Sequence, residues 1–300
     1  GGAVISTTIN KYVYVSINKK FDSGIRIAYS KIEDVNSVND IEHKIVKSVM
    51  QYLKIDGGVE ITSIADIPSQ GTGLGSSSSF TAGLVHALNA FKGNYISSEK
   101  IGSDSCHVEL DLCKEPIGKQ DQYAAAYGGF NLIEFKKDDS INVSPIICKP
   151  QTLMQLEENI LMFYTGITRS ASSLLKRQSE EIRSNLDKQN TMKKMVNLTY
   201  SMYDELSNNN INAFGEILNE NWNLKKNLTN GISSKFIDEC YDSAISAGAI
   251  GGKILGAGAG GFLIFYAPKE RHPKIKSALN KLKEIDFNFE NTGSKIIFYN

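Results

Sequence analysis

The chain has no excess of charge of either sign: 33 Lys and Arg balance 33 Asp and Glu. That balance argues against sequence-independent nucleic-acid binding, which needs a basic surface. No apolar run approaches the roughly 18 residues that a membrane span requires. Cysteine and histidine are scarce, with four of each. Cys106, Cys113, Cys148 and Cys240 show no paired metal spacing, fitting neither a C-x-x-C pair nor a zinc knuckle. They read as reduced thiols of a cytoplasmic protein. His43, His86, His107 and His272 are scattered, which argues against a histidine-based metal or nucleophile centre. There is no internal repeat and no low-complexity tract. A length of 300 residues supports one large domain or two ordinary ones. The expected partner is a small molecule, with no nucleic acid and no membrane.

The most informative stretch is Pro68-Ser-Gln-Gly-Thr-Gly-Leu-Gly-Ser-Ser-Ser-Ser79. Glycines let a backbone approach a ligand closely. The serines add hydroxyls, and a helical stripe of Phe80, Leu84, Val85, Leu88 and Phe91 follows at once. Backbone N–H groups at a helix N-terminus suit phosphate. The Walker pattern fails, because no lysine follows a second glycine. The dinucleotide pattern fails too, because Gly71, Gly73 and Gly75 are spaced G-x-G-x-G. A flexible Gly/Ser linker is the plain alternative, and the attached amphipathic helix argues against it.

Short β-rich runs at 3–6, 12–17 and 25–29 open the chain. Asp40 is expected to cap a helix whose one face carries Ile41, Ile45, Val46, Val49 and Leu53. A strand is expected at 59–64, a helix at 98–112, and strands at 130–135 and 141–143. Pro145 and Pro150 mark a boundary. Beyond it come a strand at 161–165 and helices at 170–182, 192–206, 211–224 and 233–247, the last closed by Gly248. A strand–glycine turn–strand unit follows at 253–266, then a helix at 273–285. Phe289 and residues 296–299 suit closing strands.

Three further constellations carry chemistry. The segment 107–122 holds Glu109, Asp111, Glu115 and Asp121. A kinase needs a carboxylate for a divalent cation and often a second near the attacking oxygen. A solvated acidic helix end is the alternative. Lys119 precedes Asp121 closely enough to hold its charge and stabilise anionic oxygens. Gly256, Gly258 and Gly261 match G-x-G-x-x-G, but a strand rather than a helix follows, so dinucleotide binding is rejected. That turn is either a tight hairpin or a backbone packed against a phosphate or the first glycine loop. Last, Tyr164-Thr-Gly-Ile-Thr-Arg-Ser170 places Arg169 after a strand end, as a surface arginine or as a partner for an anionic substrate group. Asn10 and Lys11, between two early strands, leave the same choice open.

Taken together these segments resemble the GHMP kinase superfamily. The string from Pro68 to Ser77 is similar to its proline-led G-L-G-S-S phosphate loop, Gly118-Lys-Gln-Asp-Gln122 to its G-x-x-D-Q segment, and residues 255–261 to its C-terminal glycine motif. Within the superfamily, residues 6–15, 71–80, 118–123, 163–172 and 255–262 resemble bacterial kinases that act on D-glycero-D-manno-heptose 7-phosphate. The resemblance implies an α+β fold with two lobes: an N-terminal β/α lobe with the phosphate loop, residues 1–150, and a C-terminal ferredoxin-like lobe, 151–300. It implies ATP and Mg²⁺ as cofactors. Ser77 and Glu109 would hold the metal. Gly71, Gly73, Leu74, Gly75, Ser76, Ser77 and Ser78 would hold the nucleotide phosphates. Asp121 would orient or deprotonate the attacking hydroxyl, with Lys119 beside it. Thr168, Arg169 and Gly258 would contact the sugar. Lys119-Gln120 stands where galactokinases have an isoleucine-methionine pair, so galactose is the poorer expectation. Fucose, galactose or mevalonate acceptors are the alternatives, as is a non-catalytic nucleotide-binding scaffold. A homodimer is left open. The chain opens at Gly1 in what reads as a turn, so a preceding N-terminal segment is expected.

Overall fold

The computed structural model describes residues 1–67, 71–168 and 172–299. Strands β1 (Gly2–Ile9), β2 (Val13–Lys19), β3 (Ile25–Ala28) and β4 (Ile32–Val35) precede helix α1 (Lys44–Leu53) and strand β5 (Val59–Ala65). Helices α2 (Ser76–Phe91), α3 (Ser98–Cys106) and α4 (Gln120–Tyr127) follow, then the hairpin β6 (Phe130–Phe135) and β7 (Ile141–Pro145). The rest comprises α5 (Pro150–Glu158), β8 (Ile160–Tyr164), α6 (Ser172–Ser184), α7 (Leu186–Ser207), α8 (Phe214–Lys226) and α9 (Lys235–Ser246). It closes with β9 (Gly251–Ile254), β10 (Phe262–Tyr266), α10 (His272–Ala278), β11 (Lys283–Glu284) and β12 (Phe289–Glu290). The α+β class expected from the sequence holds. Contacts divide the chain into two compact units whose segments interleave along the sequence.

One unit comprises Thr7–Ser69, Gly75–Gly129 and Glu290–Asn300. Its sheet has the order β2-β5-β3-β4, with β3 parallel to β5 and the other pairs antiparallel. Strand residues alternate between faces. Ile25, Ile27, Val59 and Ile61 are therefore buried on one face with Val46, Val49 and Met50 of α1 and Leu84, Val85 and Leu88 of α2. Each such side chain contributes about 1.5–3 kcal/mol by leaving water. The opposite face exposes Tyr14, Ser16 and Ile64.

Helix α1 begins later than the sequence suggests. The Glu33 carboxylate accepts the backbone N–H groups of Glu42 at 2.6 Å and His43 at 3.1 Å, and the Tyr29 hydroxyl at 2.8 Å. These bonds hold the chain extended ahead of Lys44. His43, not Asp40, is the cap, and its Nδ1 accepts from the Val46 N–H at 3.4 Å. Helix α3 is capped by Ser97 and runs directly into a π-helical segment at His107–Leu112. Such segments are rare and concentrate at functional sites.

The other unit comprises Gly1–Ser6, Gln70–Leu74 and Phe130–Phe289. Its antiparallel sheet has the order β11-β8-β10-β9. Trp222, Phe163, Phe265, Leu263 and Ile254 fill the core on one face, with Ile237, Tyr241 and Ala244 of α9. Strands β6 and β7 also belong to this unit and pair antiparallel. Pro150 occupies the first turn of α5, where its fixed φ favours a helix start. It therefore begins an element that the sequence reading had as a boundary. Helix α10 ends at Ala278, well short of residue 285, and Lys283–Glu284 pairs with β8 as β11. Residues 296–299 form no strand, and Ile297 and Phe298 are 72% and 81% exposed. No helix among the described residues is long and apolar enough to cross a membrane.

Candidate active site

The glycine loop reaches α2 through three left-handed residues: Gly71 (φ +67°), Gly73 (+77°) and Gly75 (+69°). Side chains are disfavoured in that region. Gly75 is also the N-cap of α2 and offers no side chain to the first turn, so the positive end of the helix is presented by backbone alone. A Cβ on Gly75 would stand 3.2 Å from the Asp121 Cβ. Asp121 therefore lies directly against the end of the loop. Pro68 and Gln70 lie outside the described residues.

Glu109 sits on the π-helical segment and is only 1% exposed. Its Oε1 accepts the Ser77 hydroxyl at 2.9 Å and the Thr81 hydroxyl at 3.0 Å. Its Oε2 accepts the Ser78 hydroxyl at 2.8 Å and the Gln122 side-chain amide. All four donors are neutral. Buried carboxylates are costly unless their oxygens are satisfied, and here both are. Ser78, Thr81 and Gln122 are buried with Glu109, whereas Ser77 is exposed. Ser77 is thus the hydroxyl of this cluster that joins the buried carboxylate to open space. Gln122 Oε1 is buried without a hydrogen-bond partner, at a cost of about 1–3 kcal/mol.

Asp121 and Gln122 share the first turn of α4, and Lys119 is its N-cap. The Asp121 Oδ1 accepts from the Gln120 side chain at 3.1 Å. Cys106 faces the Lys119 carbonyl at 3.9 Å, and burial pushes its thiol up to about 12. A thiol held protonated is no nucleophile. All four cysteines are free.

A second cluster lies in the other unit. In the 256–261 turn, a Cβ on Gly256 would stand 2.6 Å from the Gly73 Cα, and one on Gly261 would stand 2.1 Å from the Thr72 oxygen. The Gly261 oxygen accepts from the Thr165 N–H at 2.9 Å and its hydroxyl at 2.8 Å. The Gly261 N–H donates to the Ile167 oxygen at 2.8 Å. Lys225 donates to the Gly256 oxygen. Both readings of this turn hold: it is the hairpin connection between the antiparallel β9 and β10, and its backbone packs against the first glycine loop. Gly258 is pressed to Ile232, whose oxygen would be 2.5 Å from a Cβ. Thr168 is exposed just past the stapled segment. Arg169 lies outside the described residues.

The structure thus joins Ser77, Glu109 and the neighbour of Asp121 in one cluster, and Gly73 with the 256–261 turn in another. Thr81 and Gln122 were missed. One signal was available for each: Thr81 stands four residues after Ser77 on the same helix face, and Gln122 adjoins Asp121.

Comparison with known proteins gives this arrangement its class. The family described as GHMP kinases N terminal domain matches residues 41–129, and GHMP kinases C terminal matches residues 202–285. The D-glycero-alpha-D-manno-heptose 7-phosphate kinase of Campylobacter jejuni is 28% identical over 98% of this chain and 90% of its own. The bifunctional fucokinase/GDP-fucose pyrophosphorylase of Arabidopsis thaliana is 28% identical over 95% of this chain, which spans 28% of that protein. The crystal structure of a D-glycero-D-manno-heptose 1-phosphate kinase from Bacteroides thetaiotaomicron superposes with a TM-score of 0.79 at 26% identity. It covers 100% of this chain and 92% of its own. Fold and relatives together define a phosphotransferase, an ATP-dependent kinase of small molecules. The chain belongs to the GHMP kinase family.

Proposed function

We propose that the protein is an ATP- and Mg²⁺-dependent sugar kinase that phosphorylates the anomeric hydroxyl of D-glycero-D-manno-heptose 7-phosphate to the 1,7-bisphosphate. The observation that carries the reaction is the Ser77–Glu109 hydrogen bond at the head of the glycine-loop helix, with Asp121 against Gly75. The acceptor rests on the names of the heptose kinases to which the chain is similar over nearly its whole length.

The residues present fit a magnesium ion. A hydroxyl and a carboxylate are hard oxygen donors, and Mg²⁺ typically takes one or two carboxylates alongside phosphate oxygens and water. Among the described residues no three His, Cys, Asp or Glu side chains cluster as a self-sufficient cage. Ser77 and Glu109 would hold the ion. Bound there, it would neutralise charge on the β- and γ-phosphoryl oxygens.

The chain's own groups do the rest. Backbone N–H groups of Gly71, Gly73, Leu74, Gly75, Ser76, Ser77 and Ser78 hold the nucleotide phosphates at the positive end of α2. Asp121 orients the acceptor hydroxyl and takes its proton. Lys119, at the head of the same helix, stabilises anionic oxygens. Thr168 and Gly258 contact the sugar, and Arg169 binds its existing phosphate. Positioning and charge supply the rate, with no covalent intermediate. The N-terminal domain is assigned to residues 1–150 and the C-terminal domain to 151–300, with one family match on either side of that division. A cytoplasmic setting accords with four unpaired cysteines.

The fucokinase likeness favours fucose as a second acceptor reading. ADP release by the complete natural polypeptide, measured against heptose 7-phosphate, fucose, galactose and mevalonate, tests both. The proposal expects the highest kcat/KM with heptose 7-phosphate. Preference for another acceptor refutes the substrate but not the reaction. Nucleotide binding without turnover of any acceptor favours a scaffold.

A further inference from the structure

Gln122 is fully buried, and its amide donates to the Oε2 of Glu109. The partner fixes which way the amide points, because a carboxylate accepts and does not donate. Turning the amide over would set two acceptors against each other. The observed orientation strands Gln122 Oε1 without a donor. A side chain retained only to fill this space would be better apolar, so the amide is accounted for by what its N–H does to Glu109.

The kind of donor matters as well. An ammonium or guanidinium in that place would satisfy Oε2 but cancel the charge that attracts a cation. An apolar side chain would keep the charge and leave Oε2 with one donor fewer. A neutral amide satisfies the oxygen and preserves the charge, as outer partners of metal-binding carboxylates do. Gln122 also follows Asp121 in the first turn of α4. One turn therefore carries the group that holds Glu109 and the group that lies against Gly75.

We infer that Gln122 is a positioning residue, whose amide fixes the Glu109 carboxylate so that it and the Ser77 hydroxyl form one divalent-cation site. This rests on the proposed reading of Ser77 and Glu109 as metal-binding residues. The test measures Mn²⁺ affinity by electron paramagnetic resonance on the complete protein with ADP, for wild type, Gln122→Met, Glu109→Gln and the double variant. Melting temperature is recorded for each without metal.

Glu109→Gln should weaken Mn²⁺ binding strongly. Gln122→Met should weaken it by about tenfold to a hundredfold, and should add nothing in the Glu109→Gln background. A Gln122→Met protein that melts lower yet binds Mn²⁺ as wild type overturns the inference alone, since its role is then only structural. So does an undiminished Gln122→Met effect in the double variant. A Glu109→Gln protein with wild-type Mn²⁺ affinity overturns the metal reading and the inference with it. Should Gln122→Met fail to fold, Gln122→Asn keeps the amide but shortens its reach. The same loss is expected, and unchanged affinity overturns the inference.

Discussion

Gly256 meets Gly73 backbone to backbone: a Cβ on Gly256 would stand 2.6 Å from the Gly73 Cα and 3.1 Å from its oxygen. Both residues are in the left-handed region, at φ +66° and +77°. Two glycine motifs that are remote in sequence thus fit together because neither has a side chain.

Gly256→Ala combines a strained φ with a backbone clash that no rotamer relieves. It should destabilise by about 1–3 kcal/mol or more. Gly118→Ala, where an added Cβ meets nothing within 4 Å, is the control and should stay within about 0.5 kcal/mol. Urea midpoints compare them, and equal midpoints would contradict the close approach.

Asp121→Asn keeps the shape beside Gly75 and removes the proton acceptor. Turnover should fall by about 10²–10⁴-fold, while ATP affinity measured by calorimetry stays near wild type. A near-normal kcat would remove Asp121 from the role of base.

Arg169→Ala should raise KM for a phosphorylated sugar by about tenfold to a hundredfold, the worth of a charge-assisted bond. KM for an unphosphorylated sugar should change little. An equal rise for both would take Arg169 out of the phosphate site.

Acid should weaken the fold before its carboxylates titrate. Burial holds the His43 imidazole below its usual pKa of 6.5, against a pull in the other direction from Glu33, and burial does the same to His86. The unfolded chain therefore takes the proton first. This contribution is complete above the unfolded value, falls as pH drops below it, and levels off below the folded values. Protonation also ends Nδ1 acceptance from the Val46 N–H, the cap of α1. The melting temperature should drop as pH falls through the unfolded value of 6.5. His43→Asn, which can cap without titrating, should show a shallower slope. An identical slope would exclude His43 as a contributor.

What the sequence made legible follows from physics that is local. The glycine spacing needed positive φ, the α2 stripe was periodic, and Gly248 closed α9. Strand β4 escaped because Ile-Glu-Asp-Val is short and half acidic, and it exists by pairing with β3. Pro150 was ambiguous, since proline both interrupts chains and starts helices. Residues 296–299 have every β-forming preference and no partner strand, and preference without pairing makes no sheet. At the site, residue type nominated Ser77, Glu109 and Asp121. The roles of Ser78, Thr81 and Gln122 depend on Glu109 arriving from 31, 28 and 13 residues away. Only the fold supplies that.

The proposed reaction is phosphoryl transfer to an anomeric sugar oxygen. Phosphorus NMR of the complete natural protein with ATP, Mg²⁺ and D-glycero-D-manno-heptose 7-phosphate tests it most directly. A new phosphate resonance coupled to the anomeric proton should grow in step with ADP while the 7-phosphate persists. Absence of that resonance, with ATP intact or with phosphate appearing only on another acceptor, would contradict it.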